Sequence, residues 1–93
     1  MFLPLNRCKV VGHSMEPSFK GGDTLWLNRW SYLFSSPKLN DVVVIKHENV
    51  LFLKRVRRLQ GNSYLLTGDN PFDSYNFQFI KRGQILGKVI TAK

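Results

Sequence analysis

No apolar run in this chain goes far before Gly, Pro, Asn or Asp interrupts it. The longest, Leu39 to Ile45 and Val50 to Leu53, are broken by Asn40, Asp41 and charged flanks. Short runs rich in Val, Ile and Leu between turn residues read as strands. The first runs from Arg7 to Gly12, and the second from Thr24 to Arg29, after the turn at Gly21-Gly22-Asp23. Asp41 to His47 and Val50 to Arg58 form a hairpin across Glu48-Asn49. Ser63 to Thr67 follows the turn at Gly61-Asn62, and Gln84 to Thr91 is a last strand, bent at Gly87. Trp30 to Ser36 reads as one helical turn or a loop ended by Pro37, and Gly68 to Asp73 as a loop. Six short strands and little helix predict a mainly β fold, a single small curved sheet or partly open β-barrel. A chain of 93 residues has room for one domain, residues 1–93, with one compact core.

Composition narrows the function classes. The apolar fraction of 43% is near the globular average, which argues against disorder. One cysteine, Cys8, makes no internal disulfide, and no Cys/His spacing suggests zinc; Cys8 reads as a small buried hydrophobe. No metal or other cofactor is expected. Fourteen Lys and Arg against six Asp and Glu give a net charge of +8, which calls for an anionic neighbour. The dense basic stretch Lys54-Arg55-Val56-Arg57-Arg58 has an ordinary reading as a strand with a solvated face. No stretch approaches the roughly 18 apolar residues of a membrane-spanning helix. Met1 to Leu5 is too short for a signal-peptide core. The chain is expected to be soluble or peripheral to a membrane.

Two places carry possible chemistry. In the strand Leu51 to Arg58, side chains alternate between faces, so Phe52, Lys54 and Val56 share one and Leu51, Leu53, Arg55 and Arg57 the other. Lys54 thus stands between two apolar neighbours on a face expected to pack inward. Burial disfavours the ammonium, and a neutral lysine can take a proton from a hydroxyl. The ordinary alternative is a lysine whose stem packs while its head reaches water. At Val10-Val11-Gly12-His13-Ser14-Met15-Glu16-Pro17, a strand gives way to Gly, Ser and a Pro-containing turn. Gly12 lets a substrate backbone approach closely, and the Ser14 amide could stabilise an oxyanion. The ordinary alternative is a strand-to-turn corner.

Taken together, Gly12 to Phe19, Gly22-Asp23, Asn40 to Val44, Lys54-Arg55-Val56, Gly68-Asp69-Asn70 with Ser74, and Ile85 to Val89 resemble the type I signal peptidase family in order and spacing. The resemblance covers roughly Val10 to Ile90 and fits a minimal member, similar in size to maturation peptidases of nickel superoxide dismutase and to organellar inner-membrane peptidase cores. The self-cleaving domains of repressors share the fold. The resemblance implies a signal-peptidase-like catalytic domain, a serine endopeptidase that cuts a leader or signal segment from a precursor. It assigns Ser14 as nucleophile and Lys54 as general base. It gives Gly12 a place beside the oxyanion hole, Met15 and Pro17 the shaping of the turn, and Ser74 the orientation of the lysine. Gly68, Asp69 and Asn70 become a supporting loop. After the serine matched by Ser74, relatives usually carry Asp-Ser-Arg; here Asn76 and Gln78 replace the Asp/Arg pair. That departure supports a rival, a catalytically weak or inactive relative acting as a basic binding module.

Other readings compete. His13 and His47 invite a Ser/His/Asp triad, but His13, adjacent to Ser14, points to the other face in extended chain, and the Gly-x-Ser-x-Gly elbow is absent. Trp26 alternates with Thr24 and Asn28 and is expected in the core. Trp30, Tyr32 and Phe34 lie in a polar insertion that could present a patch to a partner or to anionic membrane. Nucleic acid is not expected, because Lys/Arg and aromatics do not interleave on one clear strand face. The expected partners are a precursor protein or peptide and, peripherally, anionic membrane.

Overall fold

A computed structural model describes residues 5–10, 12–33, 35–48, 50–72 and 75–90. The side chains of Leu5, Asn6 and Cys8 lie outside that description, and with them the expectation for Cys8. Seven strands occur among the described residues: β1 (Leu5–Lys9), β2 (Thr24–Asn28), β3 (Val42–His47), β4 (Val50–Gln60), β5 (Ser63–Thr67), β6 (Phe77–Lys81) and β7 (Ile85–Val89). A 3-10 turn, Arg82–Gln84, joins the last two. All strand pairs are antiparallel, in the order β1-β2-β7-β3-β4-β5-β6. The fold is mainly β, as expected, and takes the form of an open sheet rather than a closed barrel.

The centre of the sheet explains the run Val42-Val43-Val44-Ile45. A strand covered on both faces reads as continuously apolar. Val42 and Val44 join one buried cluster with Val10, Met15, Leu25, Leu27 and Val89. Val43 and Ile45 join another, on the opposite face, with Val56, Leu66, Phe77, Ile80 and Ile85. Both tight hairpins stand where the sequence placed them: His47 pairs with Val50 and Gln60 with Ser63, two residues intervening each time.

Three expectations need correction. The first strand spans Leu5–Lys9 and does not reach Gly12. Trp26 is outside the core, 42% exposed, because Leu25 and Leu27 take the inward positions of β2. Strand β6 was not foreseen. Its burial does not alternate with period two: Phe77 and Ile80 are buried while Gln78 and Phe79 are exposed. Phe79 adopts φ +60, and the β5–β6 register shifts between Tyr64 and Leu66. One extra residue of this kind turns a strand and erases its pattern. The Trp30–Ser36 segment holds turns and no helix among its described residues. Trp30 is exposed, Tyr32 packs on the second cluster, and Phe34 lies outside the described residues.

The bend at Gly87 has a steric cause. The β3–β7 register shifts between Val44 and Ile45, which pair with Gly87 and Ile85. There β7 presses on the end of β2 so closely that a Cβ at Gly87 would lie 2.5 Å from the Asn28 carbonyl oxygen.

Candidate active site

Ser14 lies in a run of turns between β1 and β2. That run is closed at its base by backbone bonds, from the Val10 amide to the Asp23 carbonyl (2.8 Å) and from the Gly22 amide to the Val10 carbonyl (2.9 Å). Met15, 2% exposed, plunges into the first cluster and anchors the turn. The Phe19 amide donates to the Met15 carbonyl at 2.9 Å. The Glu16–Pro17 peptide is cis, and Pro17 is exposed. Gly12 adopts φ +88, with open space where a Cβ would point. Backbone conformation rather than crowding therefore selects glycine there.

Ser14 is half-buried and lines a cleft of about 320 Å³. Its other walls come from Lys9, Val10, Met15, Leu25, Val44 and the β4 segment Leu51-Phe52-Leu53. The lining is mostly apolar, and the volume is near the lower end for ligand clefts.

Lys54 is 2% exposed, on the strand face that the alternation gave it. Its neighbours on that face, Phe52 and Val56, belong to the second cluster. Its Nζ lies 5.9 Å from the centroid of the Phe77 ring, which Phe52, Tyr75 and His47 each meet edge-on. The strand carries Lys54 between Leu53, a wall of the cleft, and Arg55.

Arg55 is the hub of a network that ties β4 to the serine turn. Its Nε and Nη2 donate to the two Asp69 carboxylate oxygens at 2.9 and 2.8 Å. The Ser18 hydroxyl donates to the same carboxylate at 2.6 Å, and Arg57 reaches it at 3.4 Å. Burial pushes the Asp69 carboxyl up, but the bonds from Arg55 and Ser18 and the two guanidinium charges outweigh it and hold it below the usual range. Next in sequence, the Asn70 amide donates to the Ser14 carbonyl at 2.8 Å and its side chain to the His13 carbonyl at 3.0 Å. Gly68, half-buried, leads from β5 into this loop.

The histidines are engaged elsewhere. Exposed His13 meets Glu16 through Nδ1 at 2.7 Å. His47 stacks on Phe77, with Nε2 3.6 Å from Glu48. No group of three or more His, Cys, Asp or Glu that could hold a metal occurs among the described residues. No helix among them is long and apolar enough to cross a membrane.

The peptidase S24-like family model matches residues 5–90, nearly the whole chain. The chain belongs to that family. The match bears out the resemblance carried by the motifs, at the level of the S24/S26 peptidase group. No curated protein and no solved structure gives a significant match.

Within this S24-like chain, the sequence had singled out Ser14, Lys54, Gly12, Met15, Pro17, Gly68, Asp69 and Asn70. Ser14 and Met15 share the cleft, and Asn70 bonds directly to the Ser14 backbone. Ser74 lies outside the described residues. Asn76 and Gln78, where relatives carry the Asp/Arg pair, are exposed. Sequence reasoning missed the acid–base pair that is present, Asp69 with Arg55, and missed Ser18 as its third member. A signal existed, since Asp69 is one of only six acids and stands two residues beyond Thr67, which pairs with Arg55.

Proposed function

We propose that this S24-like chain is one catalytic domain, a serine endopeptidase that removes a leader segment from a precursor protein, with Ser14 as nucleophile and Lys54 as general base. The observation that carries this reading is the depth of Lys54. A lysine at 2% exposure against Phe52, Val56 and Phe77 is poorly solvated as an ammonium, and burial favours the neutral amine. A neutral amine is what a hydroxyl nucleophile needs as its base. In the proposed step, Ser14 Oγ bonds to the scissile carbonyl carbon while its proton passes to Lys54 Nζ. The C–N bond then breaks, and that proton leaves with the amine. Water hydrolyses the acyl-serine and restores both groups. The Ser14 amide would face the oxyanion, with Gly12 leaving room for the substrate backbone, and Ser74 would orient the amine. The cleft walls, Val10, Leu25, Val44, Leu51 and Leu53, suit an extended peptide with small apolar side chains.

The test is incubation of wild type and Ser14→Ala with a candidate precursor, followed by mass spectrometry of the products. Cleavage by wild type alone supports the assignment, and full activity in purified Ser14→Ala overturns it. Intact precursor with both proteins favours the inactive, binding-module reading, for which the exposed Asn76 and Gln78 speak.

A further inference from the structure

Asn70 braces one short loop with both its backbone and its side chain. Its backbone amide donates to the Ser14 carbonyl and its Nδ2 to the His13 carbonyl, at 2.8 and 3.0 Å. Its Oδ1 accepts from the Phe72 amide at 3.0 Å, closing an Asx turn. Between them stands Pro71, whose φ is fixed by its own ring. The Phe72 backbone is thus held in a set relation to Ser14, while the Phe72 side chain is 96% exposed. A scattered exposed apolar residue means little by itself. An exposed aromatic whose backbone is already ordered is different, because it gives up little freedom when it meets a partner.

The place of this loop relative to the cleft selects the partner. Lys9 and Val10, which precede Ser14, and Leu51 to Leu53, which precede Lys54, wall the cleft together with Leu25 and Val44. Among the described residues, none of 68–72 lines it. The loop instead meets the serine turn at the Ser14 carbonyl. The Phe72 Cα lies at most about 7 Å from that of Asn70, and an extended peptide advances about 3.3 Å per residue. Phe72 is therefore within reach of roughly the second to fourth residue beyond a bond held at Ser14.

We propose that Phe72 is a specificity-determining residue, which takes one large apolar or aromatic side chain of the substrate on the side of the scissile bond that lies outside the cleft. This rests on the peptidase reading above and names its substrate class: small apolar side chains in the cleft, and one large one beyond it. A single ring buries about 150–250 Å², which suits one side chain. It falls far short of the roughly 1,200 Å² of a stable protein–protein interface, so a second copy of the chain does not fit the role.

The test measures binding on Ser14→Ala protein, where the readout does not depend on cleavage, and cleavage on protein that keeps Ser14. The probes are fluorescein-labelled peptides with an Ala-Val-Ala block for the cleft and a Ser-rich remainder. One Phe stands at successive places after the block or, in a second series, before it. Phe72→Ala should weaken binding of the best Phe peptide by about tenfold, the size of one buried aromatic contact, and of the Phe-free parent by much less. The dependence should appear in one series only, and Phe72→Trp should keep it. Equal losses for the Phe peptide and its parent, or none for either, overturn the proposal, as does failure of every peptide to bind. Phe72-dependent binding without cleavage would refute the peptidase reading and leave the subsite standing. Cleavage indifferent to Phe72 would do the reverse. Urea unfolding of Phe72→Ala should match wild type; a clear loss of stability would show that the ring packs on its own chain, and would overturn the proposal.

Discussion

Among the effects on the Lys54 amine, burial and the Phe77 ring act in opposite directions. The Phe77 ring favours the ammonium, by about 0.5–2 kcal/mol for a contact of this kind. Full burial disfavours it by up to about 3–5 pKa units, each worth about 1.36 kcal/mol. The proposed role as base requires desolvation to prevail, so that the neutral form is populated below the ~10.4 of free lysine. Single-turnover cleavage should rise with pH along one limb whose midpoint lies well under that value, because the base must first lose its proton. Lys54→Met keeps most of the volume and removes the amine, so cleavage should vanish with little loss of thermal stability. His47→Ala should keep most of the activity. A limb near the histidine value that survives Lys54→Met would remove Lys54 from the mechanism.

At the scale of elements, the loop after β5 holds the serine turn against β4. Asp69 is 9% exposed and takes hydrogen bonds from Arg55 and Ser18. Arg55→Met would leave that carboxylate with the Ser18 hydroxyl and the longer contact from Arg57, and losing one charge-assisted partner costs about 1.5–3 kcal/mol. Urea unfolding should register a loss in that range, with Ser18→Ala costing less. A second element-level prediction concerns Gly87. A methyl there meets backbone of Asn28 and Arg29, which yields poorly, so Gly87→Ala should destabilise by about 1–3 kcal/mol in the same measurement. Strand composition made β2, β3, β4, β5 and β7 legible to within about three residues, because inward and outward positions there follow simple rules. It failed at β6, where the residue at φ +60 breaks the alternation. Within the candidate site, the burial of Lys54 was legible because one strand's periodicity decides it. The site was illegible where two distant segments had to meet, as for Arg55, Asp69 and Ser18.

Across the whole molecule, stability should hold through a wide pH range and fall at both ends. Burial pushes the Asp41 carboxyl up, but bonds from the Lys38 amide and the Tyr32 hydroxyl, with the Lys88 charge, outweigh it. Asp41 and Asp69 are therefore both held below their ordinary value near 3.8. Their contribution is complete above about pH 4 and is lost as pH falls through the lower folded values. Tyr32 shifts the other way, pushed up by burial and then by its bond to Asp41. Its contribution is complete below about pH 10 and is lost above that. Thermal melting across pH should show this plateau, and Asp69→Asn should flatten the acid limb; an unchanged limb would mean that Asp69 does not link folding to protons. The sheet order itself could not be read from composition, since nothing in residues 85–89 announces that they lie between β2 and β3.

That order bears on how the protein is made. In the hydrogen-bonded ladder, β1 and β2 flank the turn that carries Ser14, while Lys54 rides on β4 in the group β3 to β6. Strand β7 is the rung between the two groups, and its residues are synthesised after both. A nascent chain can form its hairpins one by one as they emerge from the ribosome, yet the strand ladder that joins the half holding Ser14 to the half holding Lys54 stays open until residue 89 is available, with the contacts of Asp69 and Asn70 on the serine turn as the earlier link.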